Sequence, residues 1–259
     1  MWDLSFISRE NFKTHVRQTV ENYGDKLISY DLKKFNSNLV DPIKLILDKN
    51  IYHYSWEETI KNEIARQRDK STNNDIGYFH QRIFQYMKDC TVPREGWDVI
   101  FSPEKGINLT ECGLVKTIYV EMKNKHNTMN SASSAKTYMK MQGQLLRDDD
   151  CACFLVEAIA KCSQNIPWAA SVDGIKQKHR KIRRVSMDEF YKIVTGQEDA
   201  FYQMCLTLPE IIQEVIEESE STLVPRDTVI YELNKIAKEH NNSFAIALYL
   251  LGFESYIGF

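Results

Sequence analysis

The spacing of apolar residues divides the chain into a helical beginning, a strand-rich middle and a helical end. Phe12, Val16, Val20 and Tyr23 recur at helical intervals, after Ser8 as N-cap and Asn11 at the third helical position, and Gly24 closes the pattern. Asp41-Pro42 opens a second helix carrying Ile43, Leu45, Ile46 and Leu47. Ser55 opens a third with the capping sequence S-W-E-E and with Trp56, Ile60 and Ile64 inside. Residues 66–74, RQRDKSTNN, lose all apolar periodicity and predict a loop. Asp75 is then placed to cap a fourth helix over 76–88, whose inner face is Ile76, Phe79, Ile83, Phe84 and Met87. Gly77 in its first turn implies close packing.

From residue 91 the pattern changes to short apolar runs. Residues 99–101 and 117–123 predict strands, separated by the turn sequence Ser102-Pro103-Glu104-Lys105-Gly106. A polar loop over 124–134 leads to a helix over 135–146, capped by Ser133 or Ser134. Residues 151–160, beginning CACFLV, read as a buried strand, and 182–186 as a short one. Helices follow over 187–194, ended by Gly196, and over 209–218, 228–240 and 243–251. The order αβββαβ in the middle, with helical regions on both sides, predicts an α/β fold. We expect a single domain over 1–259: a helical region 1–90, a core 91–186 and an acidic helical region 187–259.

Composition narrows the class. At 43% apolar the chain can bury a core. No window approaches the ~18 apolar residues of a membrane span. Met1 to Ser5 lacks a basic stretch leading into an apolar one, so no secretory signal is expected. The six cysteines form no CxxC pair and read as reduced thiols rather than zinc ligands. The net charge of −3 hides an asymmetry. Residues 116–147 hold six Lys/Arg against one acid, residues 161–184 seven against one, and residues 187–259 four against thirteen. Two basic segments in the middle suit a phosphate-binding face.

The two basic segments are expected to flank one site, whose candidate chemistry lies in and before the first of them. Residues i and i+2 of a strand share a face, so Glu121 and Lys123 project together from the strand 117–123. Asp98 stands 23 residues before Glu121, at the start of another strand. Two carboxylates and a lysine at strand ends suit metal-assisted phosphodiester hydrolysis. Asp98 and Glu121 would hold Mg²⁺, with the carbonyl of Met122 as a further oxygen, and Lys123 would face the attacking water or the phosphate.

Asp98…Glu121-Met122-Lys123 resembles the active-site motif of the PD-(D/E)xK nuclease superfamily, with Trp97 where that motif often has proline. The blocks FNSNLVDPIKL, DKSTNNDIGYFHQRIF, GWDVIF, VEMKNKHNTMNSASS and RRVSMDEFYKIVTG together resemble type II restriction endonucleases that cut GGNCC or GGWCC sites. The resemblance implies a restriction-endonuclease-like core, with a central mixed sheet flanked by helices. It also implies Mg²⁺-dependent cleavage of double-stranded DNA by a homodimer in the bacterial cytoplasm, within a restriction-modification system. Superfamily members often carry an acidic residue on the helix before the aspartate strand; here that helix offers His80 and Gln81, and Gln81 could hold a metal-bound water. Candidates for DNA contact are Lys125, His126, Asn127 and Lys136, and, in the second basic segment, Lys176, Lys178, His179 and Arg180. Trp97 and Trp168 read as packing residues. A repair or structure-specific nuclease, or a DNA-binding module that does not cut, are the alternatives.

Overall fold

The structure, a computed structural model, describes residue 2 and residues 4–26, 28–218 and 226–253. The segment read for a secretory signal begins at Met1, and Met1 and Asp3 lie outside the described residues. The chain forms two compact units. One comprises Met1–Val20 and Asp75–Ser219, the other Glu21–Asn74 and Glu220–Phe259. No helix among the described residues is long and apolar enough to cross a membrane.

The helix starts follow local chemistry. In α1 (Arg9–Lys26) the Asn11 amide donates to Ser8 Oγ at 3.2 Å. A short α2 (Leu32–Phe35) is capped by Asp31. Pro42 is the first residue of α3 (Pro42–Ile51), and Asp41 accepts from the Lys44 amide at 3.0 Å. At the start of α4 (Trp56–Arg82) the capping box is reciprocal: the Glu58 amide donates to Ser55 Oγ at 3.1 Å and the Ser55 amide to Glu58 Oε2 at 2.8 Å.

The loop expected over 66–74 does not exist. Helix α4 runs unbroken to Arg82 and passes into a 3-10 turn, Ile83–Tyr86, so Asp75 is an interior residue rather than a cap. The polar stretch contains no Gly or Pro to break it. Its side chains bond one turn back along the helix, Asn73 Nδ2 to Asp69 Oδ2 at 2.9 Å and Gln67 Nε2 to Glu63 Oε1 at 3.0 Å. The buried positions are filled by the polar residues Gln67 and Asp75, which is why apolar periodicity vanished there.

The first unit is built on a six-stranded sheet. Its strands are β1 (Cys90–Thr91), β2 (Val99–Phe101), β5 (Thr117–Lys125), β6 (Cys151–Ile159), β7 (Asn165–Val172) and β8 (Ile175–Ser186), in the spatial order β1-β2-β5-β6-β8-β7. A separate hairpin joins β3 (Ile107–Leu109) to β4 (Gly113–Val115). Strands β5, β6 and β8 are parallel; β1, β2 and β7 pair antiparallel with their neighbours. This is the mixed α/β fold expected. Central β6 is buried over its first seven residues, which explains its continuous apolar run.

One face of the sheet is covered by α5 (Ser131–Arg147), whose Tyr138 and Met141 pack on Cys151, Cys153, Leu155, Trp168 and Ile182. This helix begins earlier than the serines suggested, because Asn130 caps it, accepting from the Ser133 amide at 2.9 Å. The other face packs on α1, the end of α4, α6 (Met187–Thr195) and α7 (Ala200–Glu218), through Phe12, Phe79, Phe190, Met204 and Ile211. Gly196 ends α6 in the left-handed conformation, φ 74°. Helix α7 starts nine residues before Pro209 and continues through it, with Met204 and Ile211 buried on either side. Two of its acids pair with α1: Glu214 binds Arg9 and Lys13, and Glu218 binds Lys13 and Arg17.

The short strand expected over 182–186 is the end of a twelve-residue β8. Its partner β7 went unread, although Asp173-Gly174 is a strong hairpin signal. Both residues have positive φ, 50° and 78°, and Val172 faces Ile175 across the two-residue loop. The second unit has its own core. There Phe35, Leu45, Ile60 and Ile64 pack with α8 (Val229–Glu239) and α9 (Phe244–Gly252), which lie where helices were expected.

Candidate active site

Strand β5 presents Ile118, Val120 and Met122 to the α1/α6/α7 side, where they are buried. The alternate residues Tyr119, Glu121 and Lys123 face α5. Tyr119 is apolar packing against Trp97; the next two positions on that face are charged. Asp98 is the residue before β2, and its amide donates to the Val120 carbonyl at 2.9 Å, which brings it to the end of the β2–β5 ladder. Its Oδ2 accepts from the Met122 amide at 2.6 Å. That bond fixes the carboxyl beside the strand that carries Glu121.

Glu121 is held from two sides. Lys123 Nζ donates to Oε1 at 2.8 Å and Lys140 Nζ, from α5, to Oε2 at 2.7 Å. Lys140 also donates to the Gly96 carbonyl at 2.5 Å and lies 4.1 Å from the centre of the Trp97 ring. One ammonium thus links the segment entering Asp98 to the carboxylate of β5. The two acids respond in opposite ways. Burial, reinforced by the neighbouring Glu121 charge, outweighs the Met122 hydrogen bond and pushes the Asp98 carboxyl above the usual aspartate range. Burial would raise Glu121 too, but the hydrogen bonds from Lys123 and Lys140 outweigh it and hold Glu121 below its ordinary value.

Beside Asp98 opens a cleft of about 390 Å³, lined by Tyr78, Gln81, Arg82, Arg94, Trp97 and Asp98 among others. The fold therefore brings Gln81 to the same cleft as Asp98. Gly77, one turn earlier on α4, faces the Asn124 side chain, and a Cβ there would lie 3.5 Å from Asn124 Oδ1. That is an ordinary van der Waals distance, so the packing at Gly77 is looser than expected. His80 is half-buried, and burial holds its imidazole down to about 4.

The basic segments are placed differently. The first supplies Lys123 and Lys140 to the site. Lys136, exposed, stands one turn before Lys140 on the same side of α5. Lys125, the last residue of β5, and Asn127 beyond it are exposed, with His126 half-buried between them. The second segment lies towards the other end of the sheet. Arg184 is level with Leu155 and so with Glu121, whereas Lys176, Lys178, His179 and Arg180 precede it by four to eight residues along β8. At ~3.3 Å per residue that is roughly 13–26 Å along the strand. Trp97 and Trp168 are packing residues, against Tyr119 and Tyr138.

Reading the sequence alone missed two features. Lys140 was counted only as a charge; the signal for it was its i, i+4 spacing from Lys136 on the helix after the Glu-x-Lys strand. Glu157 ends the apolar run of β6, is wholly buried, and lies in register with Lys123. Its Oε1 binds Arg184, whose guanidinium also donates to the His126 carbonyl at 2.8 Å. A charged residue closing a buried strand was the signal there.

A mixed sheet with helices on both faces, an aspartate at one strand end and Glu-x-Lys on its neighbour define a restriction-endonuclease-like enzyme. Comparison with known proteins agrees. The family model of the Eco47II restriction endonuclease matches residues 4–217, and the chain belongs to that family. It is 29% identical to the type II restriction enzyme Sau96I of Staphylococcus aureus over 266 residues, covering 99% of this chain and 98% of that protein. It is 27% identical to the type II restriction enzyme Eco47II of Escherichia coli over 230 residues, 83% of this chain and 89% of that one. The protein is a type II restriction enzyme, a site-specific deoxyribonuclease.

Proposed function

We propose that the enzyme cuts double-stranded DNA at a GGNCC-like palindrome, as a homodimer and as part of a restriction-modification system. In this reading its PD-(D/E)xK centre is Asp98, Glu121 and Lys123, and the chain 1–259 works as one nuclease domain. The observation that carries the site is the convergence of Asp98 and Glu121 at adjacent strand ends, with Lys123 and Lys140 both on the Glu121 carboxylate. Among the described residues no group of three or more His, Cys, Asp or Glu side chains gathers as a metal site. The donor set is two carboxylates, and one of them already accepts a cation, the Lys140 ammonium. That set fits a hard divalent ion that keeps most of its waters, such as Mg²⁺, held by Asp98 and Glu121. When bound, such an ion supplies an acidified water and positive charge beside the phosphate.

The chain's own groups do the positioning. The Met122 amide orients Asp98, Lys123 keeps Glu121 extended along β5, and the Lys123 ammonium is placed to orient the attacking water and offset phosphate charge. Gln81 faces the cleft beside Asp98 and can hold a water by its amide. Lys125, His126 and Asn127, at and after the end of β5, and Lys136, one turn before Lys140, suit phosphate or base contact. Lys176, Lys178, His179 and Arg180 would meet the duplex farther along, through its phosphates. The two-fold symmetry of a palindrome is met by two copies of the chain. Six free thiols suit the reducing cytoplasm in which the DNA lies.

The test is plasmid DNA incubated with and without Mg²⁺. Discrete fragments whose ends share one sequence are expected, and sequencing the ends reads the site and stagger. A smear or nicks would point to another nuclease, and a gel shift without cleavage to a binding module. Glu121→Ala and Lys123→Ala should abolish cutting with the fold intact; a variant that cuts at near the native rate removes the proposed centre.

A further inference from the structure

Lys140 is not part of the strand-end triad, yet it reaches the Glu121 carboxylate from α5. Its ammonium lies 2.7 Å from Glu121 Oε2, 2.5 Å from the Gly96 carbonyl and 4.1 Å from the Trp97 ring centre. It thus sits between two oxygens and a π face, a cage for a cation. The oxygens come from the two segments that carry the acids, Gly96 two residues before Asp98 and Glu121 itself. The Lys140 side chain is 35% exposed against 16% for Glu121, so it can swing to water while the carboxylate stays. Lys123, on the same strand as Glu121 and two residues on, holds the other oxygen and would remain.

We propose that Lys140 is a placeholder cation: it neutralises Glu121 Oε2 in the metal-free enzyme and is displaced from that oxygen when a divalent ion binds. The proposal rests on the reading of Asp98 and Glu121 as the metal ligands. The electrostatics argue for competition rather than cooperation. Two carboxylates brought together without a counter-ion repel, and a monovalent ammonium relieves that repulsion until a doubly charged ion replaces it. The lysine therefore stabilises the empty site and weakens metal affinity. Its flexible stem allows release, where a guanidinium held in a bidentate fork would resist it.

The experiment measures Mn²⁺ binding to the intact protein without DNA, by electron paramagnetic resonance and calorimetry, so no catalytic turnover enters the readout. Lys140→Met removes the charge and keeps the stem. Roughly tenfold tighter Mn²⁺ binding is expected, about 1.4 kcal/mol, while Lys140→Arg, which keeps the charge, should bind no tighter than the native protein. Equal or weaker binding by Lys140→Met, with native circular dichroism, overturns the proposal. Departure of the ammonium is read separately from Trp97 emission. Ca²⁺ should change it in the native protein with the midpoint of binding, and the response should vanish in Trp97→Phe; an emission indifferent to bound Ca²⁺ overturns the displacement. Glu121→Gln separates this from failure of the underlying reading. If Glu121→Gln binds Mn²⁺ as the native protein does, the metal is held elsewhere and the assignment of the centre falls. If it loses binding while Lys140→Met fails to gain, only the placeholder is wrong.

Discussion

Glu121→Gln is the substitution whose effect can be worked most fully from the geometry. It keeps the size of the side chain and one acceptor oxygen but removes the charge that two ammonium groups share. Each charge-assisted hydrogen bond contributes about 1.5–3 kcal/mol. Against this, the amide is spared the desolvation that opposes the buried carboxylate, and it retains part of one bond. Lys123 and Lys140 are left facing each other without an anion. We expect a net loss of about 1–2 kcal/mol at pH 7.5, which for a unit of this size is roughly 3–6 °C in the unfolding midpoint. The pH dependence identifies the cause. The folded protein holds the Glu121 pKa below its unfolded value, so the carboxylate contributes stability that is fully present above the unfolded value. That contribution disappears as pH falls through the folded value, where native Glu121 is itself protonated. Urea unfolding of both proteins between pH 7.5 and pH 3.5 should therefore show a gap that closes on the acid side. A gap of constant size across the range would refute the electrostatic account and point to packing.

Two further substitutions separate this network from its surroundings. Asp98→Asn should stabilise the fold by up to about 1 kcal/mol at neutral pH while abolishing cleavage. The native carboxyl has its pKa raised by burial and by Glu121, so it favours the folded state below its unfolded pKa and loses that contribution as pH rises through the raised folded value. The two unfolding curves should separate towards high pH with the variant the more stable, opposite in sign to Glu121→Gln; a destabilised Asp98→Asn would show that the charge-assisted Met122 hydrogen bond outweighs the cost of burying the charge. Glu157→Leu should destabilise by about 3 kcal/mol, because it leaves the Arg184 guanidinium without its buried carboxylate. Adding Arg184→Leu to it should recover much of that loss, and a double mutant no more stable than the single one would sink the pairwise account.

Much of the fold is legible in short stretches because the forces there are local. The Ser55–Glu58 box, the Asp41-Pro42 start and the Gly196 stop each depend on backbone groups within a few residues. The i, i+2 geometry of a strand puts Glu121 beside Lys123 wherever the strand lies, and their 2.8 Å ion pair follows from that alone. The same reliance on apolar spacing misread residues 66–74, where buried Gln67, and Asp75 just after, do the work of apolar residues. It also passed over β7, whose Asp173-Gly174 turn was a plain signal.

What the sequence by itself determined, then, is the set of elements with strong local chemistry, the strand that carries Glu121 and Lys123, and the aspartate that starts another. Only the tertiary structure decided which side chains share the site. Lys140 reaches Glu121 because α5 crosses the face of the sheet at that level, nineteen residues away in the chain. Gln81 shares a cleft with Asp98 because α4 ends beside β2. Glu157 binds Arg184 because β6 and β8 lie side by side in parallel, 27 residues apart. The register of β8 likewise set Lys176 to Arg180 well along the sheet from Glu121, although charge counting had put both basic segments around one site. The physical reason is the same in each case. Local patterns report on bonds a chain makes with its own neighbours, while these positions depend on how whole elements pack, to which distant residues contribute together.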